Sequence, residues 1–263
     1  MRAAGAVVAQ ALTAAACAAQ PGVSTREVDQ AAAKVIAANG AKPSFLGYHG
    51  YPASTCISVN AEVIHGIPGD RVLRTGDLVS VDVGAIISGW HGDAAVSFLV
   101  PQSPVPEGQT PLVAAGLFTP PVPGSARRGG SEGLIDRTKE ALWAGIAKAV
   151  VGARLSDIGA AVEQSLADTS YGIVTDFVGH GIGTQMHMPP DVPNVGPAGK
   201  GPRLRAGMVL AIEPMIMQRH SGVTVLADDW TVVTDSGDLA AHWEHTVAIT
   251  PTGPRILTLP PQE

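Results

Sequence analysis

Apolar positions recur along this chain with two periods. Ser24-Thr25-Arg26-Glu27 is followed by Val28, Ala31, Ala32, Val35 and Ile36 at helical spacing, and then by Gly40. A capping box is therefore expected to open a helix of about fifteen residues that the glycine ends. Ahead of it, residues 1–20 are rich in Ala and Val with a single Arg2. That stretch loosely mimics a secretory signal, but its charge is weak and Gln10 and Thr13 interrupt the apolar centre. An Ala-rich helix buried at short packing distance is the better expectation. Period-two patterns then predict strands at 56–59, 78–87 and 94–100, with Ser88-Gly89 as the turn between the last two.

Residues 101–133 break the pattern. They hold Pro101, Pro104, Pro106, Pro111, Pro120, Pro121 and Pro123 with several glycines, and read as a loop or linker. Helical spacing resumes at 134–151, and Ser156-Asp157 is expected to cap a further helix ending near 168. Strand patterns follow at 208–217, 223–226, 230–233, 240–249 and 255–259. Each half thus sets helices beside antiparallel strands, an α+β pattern. Duplication of one architecture is open, because identity between the halves is too faint to show it.

Composition narrows the partners. The net charge of -6 gives no basic field for nucleic acid or anionic lipid, and charged residues interrupt every apolar run before it reaches the roughly 18 residues of a membrane helix. At 263 residues the chain can bury a sizeable core and is expected to be a single domain over 1–263, with a loop insertion at about 101–133. The two cysteines, Cys17 and Cys56, make no CxxC spacing, so a disulfide framework and a thiolate zinc site are both disfavoured and a reducing cytoplasm is expected.

The candidate chemistry lies in four acids and one histidine: Asp82, Asp93, His180, Glu213 and Glu244. Asp82 interrupts Leu78, Val79, Val81 and Val83, a run that looks buried, and a buried carboxylate without a partner is costly. Asp93 stands eleven positions on, so a hairpin turning near 87–89 would bring the pair onto neighbouring strands, close to facing each other. Glu213 sits in Val-Leu-Ala-Ile-Glu213-Pro-Met, another buried-looking strand, and Glu244 in an alternating one. Taken singly, Glu244 reads as an exposed cross-strand acid, Asp93 as a turn residue and His180 as a structural histidine. Glycines around His180 leave room for close backbone approach, and His187 follows seven positions on. Together the five offer oxygen and imidazole donors without thiols, the chemistry of paired hard or borderline divalent cations that hydrolyse bonds.

The order and wording of these motifs resemble the type I methionine aminopeptidases of peptidase family M24, most like actinobacterial members. The likeness runs over about residues 3–260: Phe-Leu-Gly-Tyr48-His49-Gly-Tyr51-Pro, Ile-His65-Gly-Ile-Pro, Val-Asp82-Val, Trp-His-Gly-Asp93, Val-Gly-His180-Gly-Ile-Gly, Met-His187, Ile-Glu213-Pro-Met and Trp-Glu244-His-Thr. It implies the pita-bread (creatinase/aminopeptidase) fold, a pseudo-twofold antiparallel sheet with flanking helices. It also implies removal of amino-terminal methionine ahead of a small second residue by dinuclear metal-assisted hydrolysis.

In that resemblance Asp82 chelates one metal, Asp93 and Glu244 bridge both, and His180 and Glu213 complete the other shell. Glu213 doubles as proton shuttle, His187 steadies the tetrahedral intermediate and His65 contacts the peptide nitrogen. Tyr48, Tyr51, Cys56, Met186 and Trp230 would join His65 and His187 around the methionine side chain, a soft thioether well received by aromatic groups. Phe45 stands where the family often has Cys, and Met186 where it often has an aromatic ring. The family uses cobalt, manganese or iron, and zinc is a further candidate; sequence does not choose among them. Nascent polypeptide amino termini are the expected partners, met as a monomer, with transient ribosome association open.

Type II relatives insert a helical subdomain between the last two glutamates, whereas Glu213 and Glu244 here are only 31 positions apart. The segment 101–133 is longer than the connection usual at this point, and a surface loop that leaves the metal centre intact is expected. Two other readings stand beside the aminopeptidase: an X-Pro aminopeptidase or prolidase-like hydrolase on the same fold, and a non-catalytic binding scaffold. The compact length disfavours the first and the five filled ligand positions the second.

Overall fold

The computed structural model describes residues 1–103, 116–122, 126–127 and 129–260. In chain order, α1 (Arg2–Ala18) and α2 (Thr25–Ala38) precede β1 (Lys42–Pro43), a 3-10 turn at Tyr48–Gly50, β2 (Thr55–Val59), β3 (Glu62–Ile64), β4 (Leu78–Ile87) and β5 (Trp90–Leu99). The second half opens with α3 (Gly130–Lys148) and α4 (Ser156–Ser165). It continues through β6 (Gly172–Ile173), β7 (Gly179–Gly181), β8 (Met188–Val192), β9 (Val209–Ile212) and β10 (Met215–Met217). It ends with β11 (Val223–Val225), β12 (Val232–Thr234), β13 (Ala240–His242), β14 (His245–Thr250) and β15 (Gly253–Ile256). Among the described residues every named strand pairing is antiparallel.

The expected capping box opens α2: Ser24 accepts from the Glu27 backbone N–H, and Glu27 answers on the Ser24 backbone. Residues 2–18 form the Ala-rich helix, which lies directly on the β4–β5 hairpin. Its closeness is visible at Gly5 and Gly92, where a Cβ on Gly92 would stand 2.8 Å from the Gly5 nitrogen. Ser88 and Gly89 turn the hairpin with φ of 51° and 79°, the left-handed pair that a two-residue hairpin turn requires.

Four strands of the first half form one sheet, with β4 at its centre bonded to β1, β2 and β5. The second half builds the order β15-β14-β9-β7-β8, while β10 sits between β13 and β6 in a separate sheet. One core joins the halves through Leu12, Val81, Phe98, Leu142, Ile158 and Leu210, all buried. A smaller apolar cluster of Phe45, Tyr51, Cys56, Ile182 and Met186 stands apart from it.

Several expected boundaries move. The helix expected at 134–151 starts at Gly130 and ends at Lys148. The helix after it has Leu155 as its cap, with Ser156 already helical; Asp157 instead accepts from the backbones of Arg154 and Gly199. The strand expected from 94 begins at Trp90, that at 230–233 becomes Val232–Thr234, and that at 255–259 becomes Gly253–Ile256. Each of the two long strands expected at 208–217 and 240–249 is cut in two. Of the segment 101–133, residues 104–115, 123–125 and 128 lie outside the described residues. The described part is more than surface loop: Leu117 is buried in the main core, and Lys139 Nζ donates to the Gly116 carbonyl at 2.8 Å.

Candidate metal centre

The hairpin sets the first two carboxylates. Asp82 stands opposite Ala95, and Asp93 opposite Gly84. The two aspartates are therefore diagonal neighbours on one face, two positions off the direct pairing that the turn position implied. Gly84 opposite Asp93 makes room for Ser44 and Phe45, whose side chains a Cβ there would meet at 2.6 and 2.9 Å.

Two cut strands set the glutamates. Ile212 pairs with His245 and Met215 with His242, so one antiparallel register runs through both interruptions. Continued across the gap, it sets Glu213 against Glu244 and Pro214 against Trp243. Proline has no N–H for the ladder, and here its carbonyl accepts from Trp243 N at 3.3 Å. The Glu244 N–H leaves the ladder altogether and donates to Ala95 O of β5 at 2.9 Å. Two residues on, Thr246 Oγ1 accepts from the Asp93 N–H at 2.9 Å and donates to the Asp93 carbonyl at 2.8 Å. These bonds seat the second half's strand on the hairpin that carries Asp82 and Asp93.

His180 comes from β7, wedged between β8 and β9. A Cβ on Gly179 or Gly181 would fall 2.4 Å from the Ala211 or Pro189 carbonyl oxygen, so only glycine permits this approach on either side of the histidine. The His180 Nδ1–H donates to the Gly181 carbonyl at 2.9 Å, which leaves the Nε2 lone pair facing inward. Nε2 lies 3.6 Å from Glu213 Oε1 and 3.9 Å from Asp93 Oδ2.

The electrostatics of this cluster favour a cation. Burial pushes both Asp82 and Glu213 up to about 7. Burial, and then repulsion from the other carboxylates, drives Asp93 and Glu244 well above the usual range. His180 is lowered by burial, so its imidazole is held neutral. Asp82 Oδ1, Asp93 Oδ1 and Glu244 Oε1 are buried without a hydrogen-bond partner among the described residues. Orphaned acceptors of this kind need a donor or a metal. Donor atoms of Asp93, His180 and Glu244 lie within 4.8 Å of one another, as do those of Glu213, His242 and Glu244. Oxygen-rich, thiol-free and part-imidazole, this donor set fits divalent cations.

All twelve residues singled out in the sequence line one cavity of about 100 Å³: Tyr48, Tyr51, Cys56, His65, Asp82, Asp93, His180, Met186, His187, Glu213, Trp230 and Glu244, with Phe45 added. One wall is polar and the other is the apolar cluster around Tyr51 and Met186. Trp230 stands edge-on to Tyr51 and His65, with centroids 5.0 and 6.2 Å away. His65 holds a left-handed backbone, φ 60°, and burial lowers its imidazole to about 4. At the mouth, Tyr48 Oη and His187 Nδ1 share a hydrogen bond of 2.7 Å, and the His187 ring lies 4.2 Å from that of His180. Sequence reading missed His242, whose buried Nε2 lies 3.5 Å from Glu213 Oε2. The signal was its spacing, two positions before Glu244 and so on the same strand face.

Comparison with known proteins agrees with this geometry. The profile of Metallopeptidase family M24 matches residues 1–251. Methionine aminopeptidase 1 of Mycobacterium tuberculosis is 50% identical over 98% of this chain and 91% of its own length. The methionine aminopeptidase of Clostridium acetobutylicum is 47% identical over 98% of this chain and 94% of its own. Among solved structures, the methionine aminopeptidase of Thermotoga maritima superposes with a TM-score of 0.85 at 36% identity, covering 98% of this chain and 95% of that one.

Proposed function

From the premise that this chain belongs to metallopeptidase family M24, we propose a division of labour among the residues of its cavity. The enzyme removes amino-terminal methionine from polypeptides by hydrolysis, on the pita-bread fold of its relatives. The observation that carries the residue assignment is the convergence of four acids and one imidazole, with orphaned oxygens, beside an apolar wall.

Asp82, Asp93, His180, Glu213 and Glu244 would hold two divalent ions, with Asp93 and Glu244 between them. Cobalt, manganese, iron and zinc all suit this donor set. When bound, the ions supply Lewis-acid polarisation of the scissile carbonyl and lower the pKa of the attacking water. Glu213, whose carboxyl is pushed up to about 7, takes the proton from that water and passes it to the leaving amine. His187, oriented by Tyr48, faces the carbonyl oxygen as it gains charge. His65, kept neutral near pH 7 by burial, offers its ring to the peptide nitrogen. Tyr51, Cys56, Met186 and Trp230 enclose the methionine side chain, and Phe45 narrows that wall. A small residue is expected after methionine.

The same reading takes the chain as one catalytic domain, working in the cytoplasm as a monomer on nascent chains. Two unpaired cysteines suit that compartment. Turnover of Met-Ala-Ser after chelation, with each of the four metals added back, tests the assignment. Hydrolysis restored by at least one metal, and little cleavage of Ala-Pro-Ala, is expected. Failure with all four would sink it, and preference for Ala-Pro-Ala would move it to the X-Pro class.

A further inference from the structure

His242 ends β13, two positions before Glu244, and both side chains share one face of the interrupted strand. The register that sets Glu213 against Glu244 makes His242 the diagonal neighbour of Glu213. Its backbone is clamped: Ser97 Oγ accepts from the His242 N–H at 2.9 Å and donates to the His242 carbonyl at 2.8 Å. Ser97 Oγ is itself 2.7 Å from Ser80 Oγ. A ring so held is placed, not drifting, and its Nε2 is buried with no hydrogen-bond partner among the described residues.

The Glu213 carboxylate lies between two imidazoles. Oε1 is 3.6 Å from His180 Nε2, while Oε2 is 3.5 Å from His242 Nε2. His180 lines the cavity with the four acids, whereas His242 is absent from that lining and reaches Glu213 through its other oxygen. A ring set against one oxygen of the carboxylate can hold it without competing for what the other binds.

We propose that His242 is a positioning residue: its Nε2–H, 3.5 Å from Glu213 Oε2, closes on that oxygen when a cation binds and turns Oε1 toward the cation site beside His180. The alternative is a sixth ligand with a bare Nε2, since donor atoms of Glu213, His242 and Glu244 lie within 4.8 Å of one another. This inference rests on the metal-binding reading of the cavity.

Its test is metal affinity, read on chelated protein titrated with manganese or cobalt against a competing indicator. His242→Leu keeps the bulk of the ring and removes the donor, and is expected to weaken binding about 10- to 100-fold. His242→Gln returns an N–H donor and is expected to stay close to wild type. Wild-type affinity in the Leu variant, or equal weakening in Leu and Gln, would overturn the proposal. Thermal unfolding of each metal-free variant shows whether it is folded. If the Leu variant is not, proton NMR of the cobalt-loaded wild type decides: a single strongly shifted exchangeable imidazole N–H, that of His180, is expected, and a second of equal shift would make His242 a ligand. Wild-type protein that binds neither metal would instead remove the underlying reading and leave the role of His242 a matter of packing.

Discussion

At Glu244 a carboxylate is 1% exposed, has a buried oxygen with no partner among the described residues, and is pushed toward its protonated form by burial and three acidic neighbours. In the metal-free protein this is a cost, and Glu244→Gln removes it. The variant is expected to melt several degrees higher than wild type at pH 8 when both are metal-free, since about 1 kcal/mol moves the midpoint of a protein this size by 2–4 °C. The same variant should lose metal affinity. An unchanged or lower metal-free melting point would show that the cluster carries no strain.

The pH dependence has the same origin. Asp82 and Glu213 titrate near 7 when folded but in the ordinary carboxylate range when unfolded, so the folded state binds more protons between those limits. Their contribution to the stability of the metal-free protein is thus full at low pH and is lost as pH rises through about 7. Metal affinity runs the other way, because protons compete for the same oxygens. It should fall at least about tenfold per unit below pH 7, readable by chelator competition at pH 8, 7 and 6. Asp82 and Glu213 were legible in the sequence because each interrupts an apolar run, whereas Asp93 and Glu244 stood out only in combination with the other motifs. His242 was not, because a histidine in Ala-Ala-His-Trp-Glu-His reads as core until the strand register shows which way it faces.

The strands explain the element-level differences. Apolar pattern alone made 208–217 and 240–249 continuous, and in register they are, since pairings on both sides of each gap belong to one ladder. What the pattern could not carry is that Glu244 N–H turns from its own ladder to Ala95, a contact between distant halves. There the chain passes from the sheet of β13 to that of β14. Thr246 is the second half of that seam, bonded to both the N–H and the carbonyl of Asp93. Thr246→Val keeps shape and leaves both buried groups unpartnered, which should cost about 2 kcal/mol or more in chemical denaturation. Helix ends were legible only where the cap was local. Ser24 and Glu27 announce α2, whereas α4 is held from outside by the backbones of Gly199 and Lys200.

On the scale of the whole molecule, the described part of the Pro/Gly-rich segment lines a different cavity from the candidate site. Leu117 lines a cavity of about 510 Å³ with Phe98, Lys139 and Trp243, and that cavity shares no lining residue with the candidate metal centre. Replacing residues 104–115 by a short Gly/Ser linker is therefore expected to leave metal affinity and turnover of a Met-Ala peptide unchanged. A fall in either would tie the segment to the site.

The seam at Asp93, Glu244 and Thr246 also makes any ion bound there a mechanical part. In the proposed assignment two ligands come from the first half of the chain and three from the second, so coordination would act as a reversible crosslink between segments at least 87 residues apart. Chelation should then unlatch the interface before it melts either half. Backbone amides of Asp93 and Glu244 would exchange with deuterium sooner than those deep in β4, and the protein's resistance to proteolysis would report its metal content.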